Sequence, residues 1–162
     1  MEVAHIVKIK VLLMLLVVLV LSNPVLSSAE VKKEFYPDGK LKSETNYENG
    51  KLEGIAKIYY ENGQLRGKGN YKNGKREGIG KNYYMSGQLK QEVNYINNKQ
   101  KGIYRTYYEN GQLLDEENYK NGEAEGIRRG YYENGKLKLE INYKNGEVIS
   151  KKDYDESGKL IN

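Results

Sequence analysis

The feature that most constrains this chain is an internal repeat of 24 residues. The motif NYxNG, which reads NYINN in one copy, starts at Asn46, Asn70, Asn94, Asn118 and Asn142. Near-copies of YYENGQL recur with the same spacing, at Phe35, Tyr59, Tyr83, Tyr107 and Tyr131. A fixed period of this length indicates stacked supersecondary units, each of which buries its surface against its neighbours.

Each period contains two dipeptides of the Asn-Gly type, for example Asn62-Gly63 and Asn73-Gly74. Asn-Gly between β-prone residues predicts a two-residue type I′ hairpin turn, because that turn needs positive φ at both central residues. Eleven such sites, from Asp38-Gly39 to Ser157-Gly158, predict up to twelve short strands. Proline is absent after Pro37 and interrupts no ladder. The sequence therefore predicts an all-β fold, an elongated antiparallel β-meander of successive hairpins that forms a single-sheet repeat rod.

The predicted turn also sets a strand register. A two-residue turn at Asn62-Gly63 places Tyr59 opposite Arg66 and Lys57 opposite Lys68. In most other repeats the same two positions pair an aromatic residue with a cation and a cation with an acid. Both contacts stabilise a sheet, and a slip of one residue would break both, so we expect this register.

The opposite face of the predicted sheet carries a stripe of tyrosine and leucine. In the same register Tyr60 lies opposite Leu65, and Tyr71 lies opposite Gly54, where its ring covers the bare glycine backbone. We therefore expect these tyrosines to have a structural role before any functional one.

The N-terminal segment, residues 1–29, has the order of a secretory signal peptide. Lys8 and Lys10 precede the apolar run 11–21, and Ser27 and Ala29 suit cleavage after Ala29. An uncleaved membrane anchor is the alternative, but eleven apolar residues fall short of the ~20 that span a bilayer. We expect export to the periplasm, the cell surface or the medium. The repeat domain would then occupy residues 30–162, with repeats near 31–54, 55–78, 79–102, 103–126 and 127–149 and a partial copy at 150–162.

Composition excludes several function classes. Without residues 1–29 the chain keeps 25 basic and 21 acidic residues, a formal charge of +4 that is too mild to indicate nucleic-acid binding. The only histidine, His5, lies in the leader, and the chain has no cysteine or tryptophan. Imidazole and thiolate metal sites and His-dependent nucleophiles are therefore excluded from the mature chain. Paired carboxylates for glycoside cleavage remain, but the glutamates recur with the repeat, whereas an active site is singular. We predict no enzyme, no metal site and no cofactor.

Three groups of residues are candidate binding residues. An aromatic column suited to sugar rings or apolar side chains consists of Tyr59, Tyr83, Tyr107 and Tyr131. A basic patch, favoured because residues 62–76 contain no acid, includes Lys57, Arg66, Lys68 and Arg76. An acidic counterpart farther along the chain includes Asp115 and Glu117. The alternatives are ordinary cross-strand packing for the tyrosines and solvated surface without a partner for the charges.

The run YYENGQLRGKGNYKNGKREG, from Tyr59 to Gly78, resembles the tyrosine-rich bacterial variety of the MORN repeat (membrane occupation and recognition nexus). The resemblance covers about residues 31–160, in five full copies and a partial sixth. It implies an elongated sheet of hairpins without catalysis. It also implies protein–protein scaffolding, contact with lipid headgroups in some members, and in bacteria either display at the cell surface or an antitoxin role.

Together these observations predict an exported, non-catalytic interaction or scaffold module, with a Tyr/Lys surface suited to adhesion. The alternative is an antitoxin or immunity protein that neutralises a partner toxin. We expect a protein partner, with an envelope or host glycan or an anionic lipid as alternatives, and no nucleic acid.

Overall fold

The computed structural model describes residues 27–161, and this part of the chain is a single antiparallel β-sheet without a helix. Accordingly, the described residues contain no apolar helix of a length that could cross a membrane. Most of the predicted leader lies outside them. The strands are β1 (Ala29–Phe35), β2 (Leu41–Glu48), β3 (Lys51–Tyr59), β4 (Leu65–Lys72), β5 (Lys75–Arg76), β6 (Gly78–Tyr83), β7 (Leu89–Ile96), β8 (Lys99–Gln100), β9 (Gly102–Tyr107), β10 (Leu113–Lys120), β11 (Glu123–Ala124), β12 (Gly126–Tyr131), β13 (Leu137–Lys144) and β14 (Glu147–Asp153).

Neighbours in the sheet are neighbours in sequence. The order is β1-β2-β3-β4-β6-β7-β9-β10-β12-β13-β14, and the short strands β5, β8 and β11 pair with β4, β7 and β10. The predicted all-β meander of hairpins in one sheet is therefore confirmed. The structure has fourteen strands rather than twelve, because three return strands are each divided in two and the twelfth predicted strand is reduced to an isolated bridge between Tyr154 and Leu160.

Each of these return strands is interrupted at the residue that precedes a glycine with positive φ. Lys75–Arg76 pairs with the end of β4, and the ladder resumes at the pair Lys68 and Lys81. Between those points β4 uses residues 69–70, whereas the return strand uses residues 77–80 and places Gly78 at φ +79°. The resulting bulge bends the short strand toward the turn of the next repeat. There the Asn98 N–H donates to the Arg76 carbonyl at 3.1 Å.

The two Asn-Gly turns of each repeat are of different types. At Asn73-Gly74 the φ angles are +52° and +80°, which confirms the predicted type I′ turn. At Asn62-Gly63 only the glycine has positive φ. The Tyr60 N–H donates to the Gln64 carbonyl, and the loop between them has three residues that end in a glycine bulge. The type I′ prediction was wrong here, because the Asn62 side chain accepts from the Gln64 N–H at 3.0 Å and stabilises a different local geometry.

The bulge corrects two of the predicted pairs. Lys57 lies opposite Lys68 as predicted, but Tyr59 lies opposite Leu65, and Arg66 is the extra residue between them. The predicted pairs Tyr59–Arg66 and Tyr60–Leu65 were therefore wrong. The cation–aromatic contact itself exists with the neighbouring tyrosine: the Arg66 guanidinium lies 6.0 Å from the centroid of the Tyr60 ring. Lys90 over Tyr84 and Lys138 over Tyr132 repeat this contact, at 5.2 Å and 5.4 Å.

Few apolar side chains are buried in this sheet, and hydrogen bonds connect consecutive repeats. Among the described hydrophobic side chains only Val93 and Ile141 are buried. The second tyrosine of each repeat instead donates its hydroxyl to the backbone carbonyl of the first tyrosine of the next repeat. These bonds, of 2.6–2.8 Å, join Tyr36 to Tyr59, Tyr60 to Tyr83, Tyr84 to Tyr107, Tyr108 to Tyr131 and Tyr132 to Tyr154. Tyr71 lies opposite Gly54, as predicted.

Candidate binding surface

One face of the sheet carries a continuous row of charged residues, one from each of the eleven longer strands, which we call the ion row. Directly paired residues share a face, so the ladders define it without reference to side-chain rotamers. Its members are Lys33, Glu44, Lys57, Lys68, Lys81, Glu92, Arg105, Glu116, Arg129, Glu140 and Lys152. The charges alternate in sign along the row except around Lys68.

The alternating part of the ion row consists of ion pairs. Lys81 lies 2.6 Å from Glu92, and Arg105 donates to Glu116 at 2.6 Å. These contacts shift pKa values in the stabilising direction, since the Glu92 carboxylate raises the pKa of Lys81. Such half-exposed cross-strand pairs contribute on the order of 0.2–1 kcal/mol each.

Lys68 interrupts the alternation. Glutamate occupies the equivalent position in the other four repeats, so Lys57, Lys68 and Lys81 form the only run of three like charges in the row. Lys57 reaches back to Glu44 at 3.3 Å, and Lys81 reaches forward to Glu92. Within residues 27–161 no carboxylate lies within ion-pair distance of Lys68. We call these three residues the lysine triplet.

The structure divides the remainder of the predicted basic patch. Arg66 lies in the bulge of β4, over the Tyr60 ring. Arg76 pairs with Tyr71, on the face opposite the ion row. Its guanidinium contacts the Tyr95 ring and donates to the Tyr95 hydroxyl at 3.1 Å. Of the predicted residues, only Lys57 and Lys68 belong to the lysine triplet.

The predicted aromatic column lies on the same face as the ion row. Tyr59 and Tyr83 are two residues beyond Lys57 and Lys81 along their strands, and Tyr107 and Tyr131 follow Arg105 and Arg129 in the same way. All four tyrosines are half-buried. Their backbone carbonyls accept the interrepeat hydrogen bonds. The column therefore has a structural role through its backbone, and its residues are only partly exposed.

The predicted acidic residues lie on the opposite face, in a polar cluster. Arg128 donates to both oxygens of Asp115, at 3.0–3.1 Å from Nε. Glu117, which is 9% exposed, accepts from the Tyr119 hydroxyl at 2.9 Å. Burial and this carboxylate raise the pKa of Tyr119 to about 12, and Asp115 raises the pKa of Arg128. Asp115 and Glu117 are thus not a solvated acidic surface.

Sequence reasoning missed two members of this cluster. Tyr104 lies directly opposite Glu117, and its hydroxyl accepts from the Gln91 side chain at 3.2 Å. Arg128 carries the countercharge of Asp115. The available signal was that Tyr104 is the only tyrosine outside the repeat positions.

The same face has a shallow depression of about 190 Å³ above two glycines. Its floor contains Gly69 and Gly80, and its walls include the rings of Tyr71 and Tyr95. Neither glycine has positive φ. The other repeats carry side chains at both positions, so the depression is a local absence of side chains rather than a property of the repeat.

Neither face offers a site suited to a metal ion: no group of three or more His, Cys, Asp or Glu residues in the described part of the chain is placed to hold one. The repeat pattern matches the family model described as MORN repeat variant over residues 31–51, 52–73, 76–97, 100–121 and 124–145. The chain belongs to this family. No curated protein matches the chain significantly.

MORN repeats generally mediate binding to proteins or membranes, and the family is a binding repeat that is not known as catalytic. Membership therefore assigns this chain to the binding of proteins or membranes in general terms. It does not identify a partner.

Proposed function

We propose that this MORN-repeat protein is an exported, non-catalytic interaction module, and that its ion-row face binds an acidic protein partner. The lysine triplet carries this proposal. A partner carboxylate placed over Lys68 would restore the alternation of charge that the other repeats achieve within the chain.

The lysine triplet has an electrostatic cost. Like charges directly opposite each other in a sheet are destabilising. Lys57 and Lys81 are paired with Glu44 and Glu92, whereas Lys68 lies between these two lysines and forms no ion pair within residues 27–161. The surrounding segment supplies no anion, because residues 62–76 contain five basic residues and no acidic one. The half-buried residues Tyr59 and Tyr83 lie on the same face of the sheet and offer aromatic contact area beside the charges.

The variant Lys68→Glu tests this proposal, because it installs the residue that the other four repeats carry. It should pair with both flanking lysines and raise the free energy of unfolding by about 0.2–1 kcal/mol. It should also abolish binding of an acidic partner, measured by pull-down from envelope and culture-supernatant fractions with the partner then purified and titrated. The wild-type affinity should fall steeply with added salt.

Lys99→Glu is the matched control. It makes the same change of charge on a turn-flanking residue that lies opposite Ile96, outside the triplet. Binding should survive in this variant. Equal capture by wild type and Lys68→Glu would show that the triplet is solvated surface without a partner.

Export is tested separately, by fractionation and N-terminal sequencing of the mature chain. Cleavage near Ala29 supports the exported module. A full-length chain confined to the cytosol would instead favour the antitoxin alternative. In that case co-expression with the product of a neighbouring toxin gene should restore growth.

A further inference from the structure

Three adjacent positions on the face opposite the ion row depart from the repeat together. Tyr104 and Glu117 are directly paired, and Arg128 follows Glu117 on the next strand of the sheet. At the position of Glu117 the other repeats carry Thr45, Gly69, Val93 and Ile141. A carboxylate here replaces a small or apolar side chain, so the repeat fold itself does not require it.

Glu117 is a buried charge without a dedicated cation. Its described hydrogen-bond donor is the uncharged Tyr119 hydroxyl, and no described basic group lies within ion-pair distance. The nearby Arg128 is engaged by both oxygens of Asp115. The cluster therefore sets two carboxyl groups against a single guanidinium, and a cation bound beside Glu117 would balance them.

The space beside Glu117 is suited to an organic cation. The cluster lines a concavity of about 480 Å³, whose walls include Tyr104, Tyr119 and Gln91. The two tyrosine rings meet edge to face, with centroids 6.2 Å apart. Aromatic faces and a carboxylate together recognise ammonium groups. A hard divalent ion instead requires about six oxygen ligands, and Asp115 is already occupied.

We propose that this cluster binds the ammonium group of an organic amine, with Glu117 as the counter-ion and Tyr104 and Tyr119 as the aromatic walls. The amine is either a lysine side chain of a partner protein or a free small amine, since both present the same chemical group. The site lies on the face away from the lysine triplet and does not depend on the function proposed for that face.

The test is a calorimetric titration of the purified repeat domain with n-butylammonium chloride, with n-butanol as the uncharged ligand of the same shape. The wild type should bind the amine saturably and the alcohol not at all. The variant Glu117→Gln keeps a hydrogen-bond acceptor for the Tyr119 hydroxyl but removes the carboxylate. Its affinity for n-butylammonium should be lower than that of the wild type by at least about tenfold. Its melting temperature should match or exceed that of the wild type, which a purely structural carboxylate would not predict.

Two controls keep the result interpretable. Glu116→Gln changes the adjacent residue on the ion-row face and should leave amine binding unchanged. Tyr104→Ala installs the residue found at Ala56 and should weaken binding through loss of the aromatic wall, even if Glu117→Gln folds poorly. Absence of saturable binding by the wild type, or equal affinity in Glu117→Gln, would overturn the proposal.

A second arm separates the two sources of the ammonium group. A short peptide with a central lysine is compared with the same peptide carrying norleucine. Tighter binding of the lysine peptide than of n-butylammonium would assign the site to a protein side chain. Binding of n-butylammonium without the lysine peptide would assign it to a free amine.

Discussion

At the scale of single residues, the glycines of one return strand serve different purposes. Gly78 has φ +79° in the bulge, a conformation that other residues adopt at a cost. Gly80, two residues later, has ordinary extended geometry, and an added Cβ would lie 3.7 Å from its nearest neighbours, Tyr95 and Val93. The backbone conformation therefore favours glycine at position 78, whereas position 80 can accept another residue.

This difference predicts opposite effects of one substitution at two nearby sites. Gly78→Ala should lower the free energy of unfolding by about 1–2 kcal/mol, because alanine is strained at positive φ even where space is open. Gly80→Ala should raise it by about 0.5–1 kcal/mol, because glycine in a strand interior loses more conformational entropy on folding. Urea denaturation measures the free energy of unfolding of both variants. A loss of stability in Gly80→Ala would mean that the bare backbone is needed there.

At the scale of elements, a glutamate in the return strand ties three of the repeats to the turn of the next repeat. The Glu53 carboxylate accepts from the Asn73 N–H at 2.7 Å, and Glu77 accepts from Asn97 at 3.0 Å. Glu125 and Asn145 repeat the contact at 2.8 Å. The equivalent residue in the third repeat, 79–102, is Lys101, which has no carboxylate to offer. The interface between that repeat and the next therefore lacks one charge-assisted hydrogen bond.

We expect Lys101→Glu to supply the missing bond to the Asn121 N–H. Hydrogen bonds to charged groups contribute about 1.5–3 kcal/mol when buried and less at an exposed turn, so a gain of roughly 0.5–1.5 kcal/mol is expected. Hydrogen exchange should show stronger protection of the Asn121 amide. The reciprocal variant Glu77→Lys should lower the free energy of unfolding by a similar amount, and the Asn97 amide should exchange faster. Lys101→Glu without added protection at Asn121 would contradict this account of repeat stacking.

The elements also show what a sequence can and cannot specify. The repeat predicted the strand order, the hairpin spacing and the pair Lys57–Lys68, because the repeats together indicate a single register. The turn at Asn62-Gly63 did not, since the dipeptide is compatible with both a type I′ turn and a glycine bulge. The outcome depends on the Asn62 side-chain bond to Gln64, which spacing does not reveal. One misplaced residue then changed the partner of Tyr59 from Arg66 to Leu65.

At the scale of the whole molecule, candidate binding features lie where the repeat is broken. Lys68 could be identified from sequence, because it replaces a glutamate at a position that alternates in charge. The cluster around Glu117 could not be fully assembled from sequence. Its members lie on three strands, and only the sheet brings Tyr104 and Arg128 to either side of that carboxylate. Periodicity predicts the average unit well, whereas departures that combine across units require the three-dimensional register.

The nearest-neighbour construction of the sheet leads to a prediction for the whole chain. Removal of residues 79–102 joins Gly78 to Ile103 and keeps every strand antiparallel to its new neighbours. Tyr60 would then donate to the Tyr107 carbonyl in place of Tyr83, and Lys68 would face Arg105 in place of Lys81. This variant should fold cooperatively, with a melting midpoint lower by roughly 4 °C for each ~1 kcal/mol of interface energy lost.

Removal of residues 79–90 alone deletes one strand and its turn, which reverses the direction of all later strands, and should abolish cooperative melting by circular dichroism. Equal melting midpoints and equal cooperativity in the two deletion variants would show that the 24-residue repeat is not the unit of folding.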